Sequence, residues 1–212
     1  MKRLAVILLA ISMIGCNKEA EQNLPNPFFE QWNTPYGVPP FESIKTYHYQ
    51  PAFERAISLH NEEIAAIVAQ TEEPTFENAI EAYTNTGELL GNVSPVFSSA
   101  SGVKSTPELQ AIAKELSPLQ SAHSSAIRLN DKLFQRIKAV YEKRNELNLN
   151  ANQMRAVEEI YKGFERGGAN LPAEQKEELK KINAEISALQ LQFSQNLLKE
   201  TAAFTLVVEK EE

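Results

Sequence analysis

A mainly α-helical fold is what this sequence predicts, on three observations. From Pro51 onward, apolar residues recur every three or four positions rather than every second one. The runs are bracketed by residues that start or stop helices: Thr75, Thr106 with Pro107, Asn150 with Gln153, and Gly167-Gly168. With 42% hydrophobic and 23% charged residues, the composition is that of a globular domain, neither disordered nor membrane-embedded. The expected architecture is about six helices in antiparallel hairpins, after an irregular arm rich in aromatic residues and proline. One orphan strand is expected at the C-terminal end.

The first fifteen residues read as a targeting segment outside the fold. Lys2 and Arg3 form a basic head, and Leu4 to Ile14 is an apolar run too short to span a bilayer. Gly15-Cys16 stands where a bacterial lipoprotein signal is cut, with Met13 in the place usually held by Leu. Cys16 is the single cysteine; it is the expected lipidation site, and a stray thiol after an ordinary secretory signal is the alternative. Residues 16–26 read as a flexible tether and 27–212 as one helical domain. The expected location is the cell envelope, with the protein held to a membrane by its lipid.

In residues 27–50, Pro35, Pro39 and Pro40 forbid a regular helix. Phe28, Phe29, Trp32, Tyr36 and Phe41 are too many large apolar groups for a solvated linker, so this arm is expected to pack on the body. Pro51 suits the first turn of a helix carrying Phe53, Ile57, His60, Ile64 and Ile67. Thr75 caps a second, with Phe76, Ile80, Tyr83, Gly87, Leu90, Ser94 and Phe97 on one seam, a kink at Pro95 and an end at Gly102. Thr106 opens a third, with Leu109, Ile112, Leu116, Leu119, His123 and Ile127, bent or broken at Pro118. Asn130 or Asp131 caps a fourth, bearing Leu133, Ile137 and Val140. The fifth runs from the Asn150/Gln153 capping box to Gly167-Gly168. Pro172 opens the last, whose Leu179, Ile182, Ile186, Leu189 and Phe193 read as the seam of a long hairpin. Beyond it Phe204 to Val208 is apolar and β-branched, the pattern of a strand, with a frayed polar tail as the alternative.

Charge excludes some partners. The net charge is -7, and loss of Lys2 and Arg3 with the targeting segment makes it -9. Nucleic acid and anionic lipid both want a basic face, so neither is expected as a partner. Catalytic constellations are missing as well. A zinc peptidase helix needs two histidines four apart with a glutamate beside the first. His48, His60 and His123 are the only histidines, and none has a second at that step. His60 and His123 lie on apolar stripes and read as packed or hydrogen-bonded. Asp131, the one aspartate, is explained by a helix cap, and no Gly-x-Ser-x-Gly turn exists. Glu62-Glu63, Glu72-Glu73 and Glu177-Glu178 are neighbours that diverge on a helix, so they read as solvated faces. Trp32 and Tyr36 are the residues through which the arm would touch peptide, with packing the preferred reading. No catalytic and no metal-ligating residue is assigned, and the substrate-binding residues are unknown.

The phrases PPFESI, HYQPAFERAI, PTFENAIEA, LFQRIKAVY, GANL and QNLLKET are spread along the chain between Asn26 and Val208. In this succession the sequence resembles the N-terminal region of zinc metallopeptidases of the thimet oligopeptidase family, closest to the bacterial peptidyl-dipeptidases (dipeptidyl carboxypeptidases). The resemblance implies a largely helical part forming one wall of a deep channel that admits short peptides. It also implies zinc in the complete enzyme, held by a His-Glu-x-x-His that this chain does not contain. The expected role is therefore the channel-wall part of a peptide-trimming enzyme, inactive by itself, whose catalytic half lies elsewhere. Two alternatives stand beside it: a surface-anchored, non-catalytic peptide-binding module, and one half of a split peptidase.

Overall fold

The structure is a computed structural model and describes residues 25–103 and 105–206. The targeting segment, Cys16, nearly all of the tether, Val207 and Val208 lie outside the described residues. The arm carries two 3₁₀ turns, Pro27–Phe29 and Pro35–Gly37. Six long helices follow: α1 (Thr46–Ala69), α3 (Glu88–Val103), α4 (Pro107–Arg128), α5 (Asp131–Lys143), α6 (Ala151–Arg166) and α7 (Ala173–Ala203). Between α1 and α3 stands a short helix, α2, in which a π-helical stretch (Phe76–Glu81) runs into Ala82–Thr84.

The caps expected from sequence hold the helix starts. Thr75 Oγ1 accepts the Asn78 N–H at 3.2 Å while Asn78 Oδ1 accepts the Thr75 N–H at 2.8 Å. Thr106 accepts from Leu109, and Asn150 and Gln153 bond reciprocally. Each bond satisfies a first-turn donor with no partner inside its helix. At α5 the cap is Asn130, whose Oδ1 accepts the Leu133 N–H at 3.0 Å. Asp131 is no cap. As the first helical residue it holds the ammonium of Lys176 instead.

Four sequence expectations need correction. α1 starts at Thr46 rather than near Pro51, because His48 Nδ1 accepts the Lys45 N–H at 2.9 Å and closes the first turn earlier. The second expected helix is two. Gly87 has φ +76° and separates α2 from α3, and a Cβ there would stand 2.9 Å from the His60 ring. Of the bend or break expected at Pro118, the break is not found: α4 runs on to Arg128, and α3 carries Pro95 within it to Val103. No strand exists among the described residues: α7 persists to Ala203, and Phe204 to Leu206 are non-helical and exposed, with no strand to pair with.

The body has two apolar cores rather than one. The first gathers the arm, the first half of α1, α3 and the first half of α4 around Phe28, Tyr49, Phe53, Val93, Phe97 and Leu116. Phe97 meets Tyr49 and Phe53 edge-on, at ring distances of 5.0 and 5.5 Å. The second gathers the rest of α1, α2, the end of α4, α5 and α6 around Ile67, Ile80, Leu133, Phe134, Val157 and Phe164. The arm packs as expected: Phe28 is buried, Trp32 donates from its indole to the Pro27 carbonyl at 2.9 Å, and Asn26 donates to the His48 carbonyl at 2.8 Å. Asn26 therefore belongs to the folded body. Phe41 is 55% exposed, and Tyr36 does not pack. Tyr36 is fully exposed at φ +60°.

α7 lies antiparallel along α4. Lys176 reaches the Leu129 carbonyl, Asn183 donates to Ser125, and Leu191 and Leu198 stand beside Ser117 and Gln110. The row it turns to the body is Lys176, Asn183, Ser187, Leu191, Gln195 and Leu198, half or fully buried and largely polar. The row expected as its seam faces out. Leu179 is half-buried, but Ile182, Ile186, Leu189 and Phe193 are 45–68% exposed, and Leu197 joins them. α4 is the neighbour α7 packs along, and a single neighbour covers only one narrow face of a helix.

Candidate functional site

The two cores meet at a layer of hydrogen-bonded polar side chains built from three elements. On α1, His60 stands between Phe53 of the first core and Ile64 of the second. On α4, His123 stands between Leu116 and Ile127, and at the α2–α3 junction Thr86 and Gly87 stand between Tyr83 and Leu89. His60 Nδ1 and His123 Nε2 are 3.0 Å apart, and the rings meet edge-on at 4.9 Å. His123 Nδ1 lies 3.0 Å from Asn61 Oδ1, and His60 Nε2 lies 3.1 Å from Thr86 Oγ1. The Gly87 N–H donates to the Glu63 carboxylate at 2.7 Å. Every ring nitrogen of the pair therefore has a partner, as burial of polar groups demands.

Burial pushes both imidazoles below the ordinary 6.5. Glu63 partly offsets this at His60, whereas His60 itself adds to the lowering at His123. His48, buried at the start of α1 with Lys45 beside it, is lowered as well.

A second polar knot fastens the loop between α1 and α2. Arg136, buried on α5, donates to the Gln70 carbonyl (3.0 Å), the Glu72 carbonyl (3.2 Å), Gln70 Oε1 and Asn78 Oδ1 (both 3.0 Å). A planar guanidinium suits so many acceptors at once. Lys176 is likewise buried at 5% exposure on Asp131 and Leu129. Sequence reasoning missed both, because a cation inside an apolar run carries no mark of its partners. It read His60 and His123 as packed or hydrogen-bonded, which they are. It had no means of pairing them across 63 positions.

These residues do not fit a zinc site. Such a site takes three or four N, S or O ligands from the protein, and the two histidines have an amide and a hydroxyl as their other neighbours. Among the described residues, no three His, Cys, Asp or Glu side chains stand together to hold a metal. No residue of the layer is placed for metal-assisted hydrolysis. Glu62, Glu63, Glu72 and Glu73 are exposed, but Glu72 and Glu73 stand in the loop between α1 and α2 rather than on a helix. Glu63 accepts the Gly87 N–H, and Glu73 pairs with Lys143.

No family model matches the chain, but relatives do. It is 37% identical over 183 residues to the dipeptidyl carboxypeptidase of Escherichia coli (strain K12), covering 86% of this chain and 27% of that protein. The chain belongs to the dipeptidyl carboxypeptidase and oligopeptidase family. Oligopeptidase A of Escherichia coli (strain K12) is 29% identical over 178 residues, and the organellar oligopeptidase A of Arabidopsis thaliana 28% over 188. In those two pairs the match covers 84% and 88% of this chain. The chain spans about a quarter of the length of the curated peptidases it matches. The family signal thus covers the helical body, including both cores and the polar layer between them.

A base whose folded pKa is depressed holds fewer protons than in the unfolded chain. The stability tied to His48, His60 and His123 is therefore fully present above pH 6.5 and is lost as pH falls below it. Urea unfolding at pH 7.5 and pH 5 checks this: the midpoint should be lower at pH 5, and replacing both His60 and His123 by Gln should shrink the difference.

Proposed function

We propose that this chain is the helical, channel-wall part of a lipid-anchored zinc oligopeptidase or peptidyl-dipeptidase that trims short peptides. Its catalytic, zinc-holding half is supplied by polypeptide outside these 212 residues. The observation that carries this reading is the 37% identity to a dipeptidyl carboxypeptidase over most of this chain but 27% of that protein. The shape of α7 supports it. Ile182, Ile186, Leu189, Phe193 and Leu197 form an exposed apolar row along one long helix, the kind of surface a further body covers. Short peptides are the expected substrates of the whole enzyme, and this chain contributes the wall past which they enter.

Incubating the purified chain with zinc and short peptides tests the division of labour. No hydrolysis is expected, and turnover abolished by a chelator would overturn the reading. The α7 row gives a second test. Phe193→Lys should leave the urea-unfolding free energy within about 0.5 kcal/mol, as exposed positions do, while reducing binding of a hydrophobic dye. A large loss of stability would mean that the row is already covered within this chain.

The anchor rests on sequence alone: a basic head, a short apolar run and Cys16. Two or more acyl chains hold a protein to a bilayer stably. Expressed in bacteria, the chain should enter the detergent phase of a phase-separating extraction, and Cys16→Ala should send it to the aqueous phase. One observation favours the non-catalytic peptide-binding module instead: the cores of α1–α6 close without help. A peptide affinity that survives in the isolated chain would favour that module.

A further inference from the structure

We propose that the His60–His123 layer is a proton-operated latch that accepts one proton intact and opens on the second. Opening frees the α2–α3 junction and α4 from α1. A line of hydrogen-bonded groups runs Asn61, His123, His60, Thr86, Tyr83. We assign the neutral rings the tautomers that fill every nitrogen. The His123 Nδ1–H donates to Asn61 Oδ1, and His123 Nε2 accepts from the His60 Nδ1–H. His60 Nε2 accepts from the Thr86 hydroxyl, which gives up its bond to the Tyr83 carbonyl to do so. Every ring nitrogen is satisfied, and the charge is zero.

A first proton has a place to go. It adds to His60 Nε2, and the Thr86 hydroxyl turns to accept that N–H. The hydroxyl then donates its hydrogen bond to the Tyr83 carbonyl, 2.8 Å away. No ring moves, and the N–H···N bond between the histidines becomes charge-assisted and stronger. Glu63, beside His60 on α1 and tied to the Gly87 N–H, favours the charge at this ring.

A second proton has none. The last bare nitrogen is His123 Nε2, which faces His60 Nδ1 across 3.0 Å. Protonation there sets two N–H groups head-on and two like charges in a half-buried layer, where neither can be tolerated. The rings must part. Other charges on the packed elements are engaged or turned to solvent. Glu62 on α1 and Glu88 on α3 are exposed, Arg128 on α4 acts on Tyr83, and on α7 Lys176 holds Asp131 and Lys180 holds Glu177. The α2–α3 junction is the break in the chain at this level, so it is the element released, with Gly87 losing its carboxylate partner.

Following the imidazole ¹⁵N shifts of the intact chain against pH tests the latch, together with amide hydrogen exchange. The pair should titrate in two steps more than about one pH unit apart, both below 6.5. Protection of the Gly87 amide should survive the first step and fall about tenfold or more through the second, ahead of the amides of the second core. Thr86→Val, which removes the turning hydroxyl, should lower the first step and leave the second in place. His60→Gln should reduce His123 to a single step. Independent titration of the two rings, or Gly87 protection unchanged through the second step, overturns the proposal. The exchange measurement needs no variant, so a substitution that fails to fold does not rescue it.

Discussion

One buried face of α1 has to serve two cores at once, and most of the architecture follows from that demand. Tyr49, Ala52 and Phe53 close the first core, and Ile64 and Ile67 enter the second. An apolar residue at position 60 would have fused them. His60 instead places a polar group where α4 brings His123 and the α2–α3 junction brings Thr86. Buried polar groups are tolerated only when paired, so the layer is as constraining as a packed side chain while being sensitive to protons. The junction bends where it does for the same reason: Gly87 leaves room for the imidazole and takes the backbone angle that the turn needs.

α7 shows the opposite economy. Its row against α4 is made of Asn183, Ser187, Gln195 and scattered leucines, with the buried ammonium of Lys176 at one end. Hydrogen bonds and small residues suffice to hold a helix against one neighbour. Its most apolar row is left in the open, the reverse of what burial would choose if this body were all the helix had to pack against. Placing polar residues inward and apolar ones outward makes physical sense when a second surface covers the open row.

What could be read from the chain was whatever is local. Caps at Thr75, Thr106, Asn130 and Asn150 need three or four residues to recognise, and the structure has all four. The periods of α4, α5 and α6 were legible for the same reason. The end of the second expected helix was not, because Gly87 on an apolar seam looks like a packing glycine until its backbone angle is known. The α7 seam misled more instructively. Periodicity finds the most apolar face of a helix, and it cannot say whether the partner for that face belongs to the same body. The strand reading failed similarly: Phe204 to Leu206 have the right composition, but pairing depends on a neighbour, and the described residues include no strand. Long-range polar pairs, His60 with His123 and Arg136 with Gln70, leave no trace in local pattern.

The family phrases can now be sorted by what each does in three dimensions. HYQPAFERAI supplies the cap His48, the core residues Tyr49, Ala52 and Phe53, and the buried Ala56. PTFENAI supplies the capping box of α2 with Ala79 and Ile80, and LFQRIKAVY supplies Leu133, Phe134, Ile137 and Val140 around the anchoring Arg136. In each of these, packing or capping within this body accounts for the residues. QNLLKET is different. It sits near the end of α7, where Leu198 turns to α4 and Leu197 stands 56% exposed in the open row. Half of this phrase is therefore explained by packing on α4, and the other half by no contact among the described residues.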